Sequence, residues 1–138
     1  MSTEKEQEWR LYFLRNKIVL FYAGEEEENL PFHNEPELPA LHHYKYKRTR
    51  QWSRKIAAAD AFIFVTPEYN HGYSAHLKNA LDFLFREWNY KPAAFVSYGG
   101  IAGGTRAVQM LVQVVTALKM MPLTESVHFP GFSKYITE

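Results

Sequence analysis

Residues 61–87, AFIFVTPEYNHGYSAHLKNALDFLFRE, decide the fold, because they read as a buried strand, a short polar loop and a helix. Residues 61–66 form an unbroken apolar run rich in Phe, Ile and Val, the pattern of a central parallel strand covered on both faces. The strand is expected to stop at Pro67, which cannot donate to a sheet ladder, so residues 67–72 leave the sheet at its carboxyl end. Open parallel α/β sheets place their ligands at that end. Ser74 is a favourable N-cap, and Leu77, Ala80, Leu81, Leu84 and Phe85 recur at helical spacing as one apolar stripe facing the sheet.

The flanking sequence extends the same alternation of strand and helix. Residues 17–22, KIVLFY, read as a strand, and residues 44–59 as a helix with Thr49, Trp52, Ser53 and Ile56 inward and a basic outer face. That basic face is a solvated surface, or a region that steers a polyanionic cofactor towards the site. Residues 92–97, PAAFVS, read as another buried strand, and the glycine-rich YGGIAGG, residues 98–104, as its carboxyl-end loop. A helix over 105–119 follows, with Ala107, Val108, Leu111, Val114, Val115 and Leu118 at helical intervals, and then a weaker strand from Leu123 to Phe129. Residues 4–16 suit a crowded amphipathic helix, and the acidic run 25–28 a solvated turn. Phe83, Trp88 and Tyr90 are surplus to the inward stripe and suit a subunit boundary.

With 138 residues the chain fits a single domain able to bury about two thirds of its unfolded surface. A net charge of +1 does not support general nucleic-acid affinity, and no run approaches membrane-spanning length. The absence of cysteine excludes disulfides, thiolate metal sites and a cysteine nucleophile, and allows a reducing cytosolic setting. Aromatic residues make up 16% of the chain, enough for ring-lined packing or a stacking ligand. His33, His42 and His43 lack the carboxylate or third histidine at helical spacing that a metal site would need.

Two loops, 67–73 and 98–104, leave neighbouring parallel strands at the same end and are expected to converge on one crevice. Glycines at 99, 100, 103 and 104 let backbone N–H groups approach a flat heterocycle, although a turn serving helix packing uses the same residues. Their spacing excludes a dinucleotide G-x-G-x-x-G fingerprint. Tyr69 and His71 offer planar faces, and Asn70 both donates and accepts. Glu68 is expected to fix its loop by hydrogen bonds to backbone. A hydrolase built on Ser97, His71 and Asp60 is disfavoured, because Val96-Ser97-Tyr98 is not a G-x-S-x-G elbow.

The run TPEYNHGYSAHLKNALDFLFREW followed by KPAAFVSYGGIAGG resembles the NADPH-dependent FMN reductases, a flavodoxin-like family that includes quinone, azo-dye and chromate reductases. The resemblance covers roughly residues 17–130. It implies a flavodoxin-like three-layer α/β sandwich around a parallel sheet, and FMN and NADPH as cofactors. It further implies hydride transfer through FMN to a small-molecule electron acceptor such as a quinone, a cytoplasmic location, and a homodimer or homotetramer. Carried over residue by residue, the flavin ring would lie on Pro67, Glu68, Tyr69, Asn70, His71, Gly72, Ser97, Tyr98, Gly99 and Gly100, with no catalytic side chain and no metal. Leu30-Pro31-Phe32 resembles a family loop leading to the flavin edge.

Relatives begin with a strand and a Ser- and Arg-bearing loop for the FMN phosphate, and residues 1–16 do not read that way. With the family order 2-1-3-4-5, strand 17–22 would stand two spacings, about 9.5 Å, from strand 61–66 across an empty slot, unless another segment fills it or the sheet closes up. Loss of the loop predicts weak FMN binding, with the Gly103-Gly104 helix start or an arginine in residues 1–16 as replacement anchors. The rival expectation is a shortened, non-catalytic relative serving as an interaction module or unstable fragment.

Overall fold

A computed structural model of the chain describes residues 17–22 and 30–136. The expectations placed on residues 1–16 and on the acidic run 25–28 lie outside them. Among the described residues, four strands form one sheet: β1 (Ile18–Tyr22), β2 (Ala61–Pro67), β3 (Pro92–Gly99) and β4 (Met121–Pro130). They are joined in turn by helices α1 (Lys47–Ala57), α2 (Ala75–Asp82) and α3 (Thr105–Ala117).

All three strand pairs are parallel and the order is β1-β2-β3-β4. The expected empty slot is therefore absent: Ile18 stands opposite Ala61 and Tyr22 opposite Val65, so the sheet has closed up. Pairing β1 directly with β2 satisfies backbone groups that a slot would have left bare. Because every crossover steps in the same direction, the right-handed rule puts all three helices on one face. The order contains no reversal of winding among the described strands, so the loops, and not a parting of helices, shape the carboxyl edge.

Alternation along the strands sorts the core. Phe62, Phe64 and Thr66 of β2 point to the helix side, opposite Ala93, Phe95 and Ser97 of β3. The Phe64 and Phe95 rings stack at 6.2 Å. Trp52 and Ile56 of α1, Leu77 and Leu81 of α2, and Leu111 and Val115 of α3 close over these residues in one cluster. Ser74 caps α2 as expected, its Oγ accepting the Leu77 N–H at 3.3 Å. The opposite face, with Ile63, Val65, Val96 and Tyr98, is only half-buried among the described residues, and Val127 and Phe129 of β4 are exposed there.

Two expectations change here. Helix α2 ends at Asp82, and a 3-10 turn over Arg86–Trp88 redirects the chain. Phe83 and Trp88 are consequently core residues, both 0% exposed, and only Tyr90 of the three residues assigned to a subunit boundary reaches solvent. The Trp88 ring meets Phe62 edge-on at 4.9 Å while its Nε1–H donates to the Leu81 carbonyl at 3.1 Å. The last strand is longer than expected and begins at Met121, because its pairing with β3 extends to Pro92 across a register shift between Ala93 and Phe95.

Candidate functional site

The two glycine- and proline-marked loops meet at the carboxyl edge. Pro67 pairs with Tyr98 at the ends of β2 and β3, and the Glu68 N–H continues the ladder to the Tyr98 carbonyl at 3.1 Å. Beyond it the chain turns at once. Tyr69 and Gly72 exchange two N–H···O bonds of 2.8 Å, and Asn70 and His71 between them have φ values of 48° and 68°. Two successive positive φ values define a type I′ turn, for which Asn is a favoured first residue. Among the described residues, the Asn70 and His71 amides meet no acceptor, so the turn tip presents two free N–H donors.

The second loop is held by close packing. Gly104 has φ +89°, and a Cβ there would lie 2.5 Å from the Ser97 Cβ; at Gly103, φ +59°, a Cβ would lie 2.8 Å from the Pro130 nitrogen. Both positions therefore require glycine. Gly100 differs, since a Cβ on it would meet nothing within 4 Å, leaving open space above flat backbone. Its carbonyl accepts the Gly131 N–H at 2.8 Å, tying this loop to the end of β4.

Glu68 turns inward, away from the open surface. Its Oε1 accepts from Arg106 Nε at 2.6 Å and contacts Nη2, and Oε2 accepts the Arg106 backbone N–H at 3.3 Å. Burial alone would raise the Glu68 pKa, but hydrogen bonding and charge from Arg106, with the Arg106 and Ala107 amides, hold it below the ordinary range. The carboxylate thus caps the start of α3. The Gly103-Gly104 helix start is therefore not a free anion site, contrary to the place expected for a replacement phosphate anchor.

The remaining expected residues divide cleanly. Tyr69 and Tyr98 lie near each other, with Tyr69 exposed and the Tyr98 hydroxyl pKa raised, first by burial and then by Tyr69. Ser97 is 0% exposed, and its hydroxyl contacts the Gly103 carbonyl at 2.8 Å and His128 Nδ1 at 2.7 Å. Its proton is committed to the carbonyl, and His71 and Asp60 are not its partners, so the hydrolase constellation does not assemble. Leu30 and Pro31 are tied to α2 instead, through Asn79 Nδ2 donating to the Pro31 carbonyl at 2.8 Å. Arg106 and His128 carry no motif in the sequence, and only the start of α3 and the register of β4 bring them, with Gly131, to the loops.

A surface with exposed aromatic rings, two free amides and a bare glycine backbone suits a planar heteroaromatic group with a polar edge. The two loops, residues 67–73 and 98–104, contain no Lys or Arg, so they account for a ring and not for an attached phosphate.

The comparisons with known proteins agree in direction. A family model described as NADPH-dependent FMN reductase matches residues 4–134. An NAD(P)H-dependent FMN reductase of Schizosaccharomyces pombe is 53% identical over 93 residues, which are 66% of this chain and 46% of the relative. One of Saccharomyces cerevisiae is 44% identical over 104 residues, 75% of this chain and 52% of the relative. This chain thus spans about half the length of the relatives it matches. Among solved structures, a flavoenzyme NAD(P)H:(acceptor) oxidoreductase from Paracoccus denitrificans superposes with a TM-score of 0.63 at 19% identity, over 79% of this chain and 76% of that one. An NADH:FMN oxidoreductase superposes at 0.60 and 17% identity, over 88% and 80%.

Proposed function

The chain belongs to the NADPH-dependent FMN reductase family, and from that premise we propose that it seats the FMN ring on its two carboxyl-edge loops and passes hydride from NAD(P)H to a small acceptor such as a quinone. What supports this reading is that the loop beginning Pro67, Glu68, Tyr69, Asn70, His71, Gly72 and the loop around Ser97, Tyr98, Gly99 and Gly100 leave neighbouring strands at one edge, with Tyr69, Asn70, His71 and Gly100 exposed and Glu68 and Ser97 buried beneath them. FMN, when bound, supplies the redox chemistry, and the protein supplies position and electrostatics. The Asn70 and His71 amides are placed to donate to the polar edge of the ring. Gly100 keeps the approach clear of side chains, Tyr69 and Tyr98 offer faces for stacking, and Glu68 holds the two loops together.

The finer assignments follow the same premise. A quinone as acceptor draws support from an NADPH:quinone oxidoreductase of Arabidopsis thaliana, 48% identical over 64 residues, 44% of this chain and 33% of the relative. No helix among the described residues is long and apolar enough to cross a membrane. We assign the chain to the cytoplasm, as a single domain that forms a homodimer or homotetramer without nucleic-acid or membrane partners.

The test is titration of the chain with FMN, followed by quenching of flavin fluorescence, and then oxidation of NADPH in the presence of a quinone. Saturable quenching is expected, and the double substitution Asn70→Ala, His71→Ala should weaken it more than a substitution at His42. Equal affinity of wild type and double mutant would reject the site.

A further inference from the structure

We propose that His128, on the strand that carries neither site loop, is a positioning residue that sets the peptide geometry of the glycine loop for the flavin ring. This rests on the flavin reading of the loops given above. The Ser97 hydroxyl has a single proton, and that proton goes to the Gly103 carbonyl at 2.8 Å. The 2.7 Å contact between Ser97 Oγ and His128 Nδ1 therefore needs its proton from the imidazole, so Nδ1–H donates and Ser97 accepts. The opposite tautomer would set two lone pairs against each other across that distance. In the uncharged ring Nε2 is then an acceptor, and Ser126 Oγ, 2.7 Å away, is its donor.

The chain of bonds runs one way, from Ser126 through His128 and Ser97 to the Gly103 carbonyl. It ends on the peptide between Gly103 and Gly104, two residues that lack a Cβ and adopt positive φ, and it adds to the Gly103 N–H bond to Gly100 and the Val108 N–H bond to Gly104 that flank that peptide. With the Gly103 carbonyl held on Ser97, trans peptide geometry turns the Gly104 N–H the opposite way. That N–H meets no acceptor among the described residues. It lies beside Gly99, where a Cβ would come within 3.2 Å of the Gly104 nitrogen. Residues of β4 thus decide how the loop from β3 presents its backbone, and the Gly131 N–H on the Gly100 carbonyl acts in the same sense.

The experiment has a part that needs no flavin. In 15N-histidine NMR of the wild-type chain, His128 is expected as the Nδ1–H tautomer; the Nε2–H tautomer would overturn the proposal. His128→Leu should shift the Gly103 and Gly104 amide resonances and weaken FMN binding about fivefold, the value of one hydrogen bond. His128→Asn, whose side-chain N–H replaces the Nδ1 donor, should restore both. Unchanged glycine resonances in His128→Leu, or a His128→Asn protein as impaired as the leucine variant at equal thermal stability, would also overturn it. If the wild type binds no FMN, the flavin reading fails while the tautomer and the glycine resonances still decide the role of His128.

Discussion

Glu68 and Arg106 join the two halves of the site: a carboxylate at the end of β2 caps and pairs with the first turn of α3, with Arg106 Nε 2.6 Å from Oε1. The Glu68 side chain is only 6% exposed, against 42% for Arg106, so loss of the pair leaves the arginine partly hydrated. Glu68→Gln is expected to cost about 1–2 kcal/mol at neutral pH. The sign with pH follows from the depressed carboxyl. Its contribution is complete above the ordinary value of 4.5 and is lost as pH falls through the lower folded value. The stability gap between wild type and Glu68→Gln, measured by urea unfolding, should therefore be constant at neutral pH and close as the solution is acidified below that value. A gap that widens in acid would contradict the assignment.

Gly100 and Gly104 should respond oppositely to one methyl group. Gly104→Ala drives a Cβ to 2.5 Å from the Ser97 Cβ at φ +89°, and should destabilise by about 3 kcal/mol. Gly100→Ala meets open space, and should change stability by less than about 0.5 kcal/mol. If the flavin ring lies above Gly100, the same substitution should still weaken FMN binding. Chemical denaturation and flavin titration on the two variants separate these effects.

Glu87 anchors a polar cluster beneath α1. Its carboxylate accepts from Ser53 Oγ at 2.6 Å and from the Tyr44 hydroxyl at 2.9 Å. Burial, with the Glu87 charge and hydrogen bond, pushes the Tyr44 pKa well above its ordinary 10.0. A raised folded pKa stabilises below the unfolded value and is lost as pH rises through the folded one. Tyr44→Phe should therefore cost about 1 kcal/mol at pH 7. The wild type should also lose stability above pH 10 more steeply than the variant. Thermal melts at a series of pH values read both.

If FMN is bound and reduced as proposed, turnover should be ping-pong, because nicotinamide and acceptor would use the same open ring face in succession. Parallel lines are expected in initial-rate plots of NADPH oxidation at several quinone concentrations. Intersecting lines, which require both substrates bound together, would contradict it.

What the sequence determined is what periodicity and local turn chemistry control. The apolar runs at 18–22, 61–66 and 92–97 and the helix with Ser74 as its cap follow from residue spacing, as does the shared carboxyl edge of the two loops. Only tertiary structure decided how these pieces met. The closure of β1 onto β2 is a matter of pairing between segments some forty residues apart, and no local pattern encodes which neighbour a parallel strand selects. The burial of Phe83 and Trp88 came from a break after Asp82 that the apolar stripe, continuing through Leu84 and Phe85, concealed. The pairing of Glu68 with Arg106 and of Ser97 with His128 spans 38 and 31 residues. Such long-range polar contacts leave no periodic trace, because they depend on register and crossover geometry, which are settled only when the core has packed.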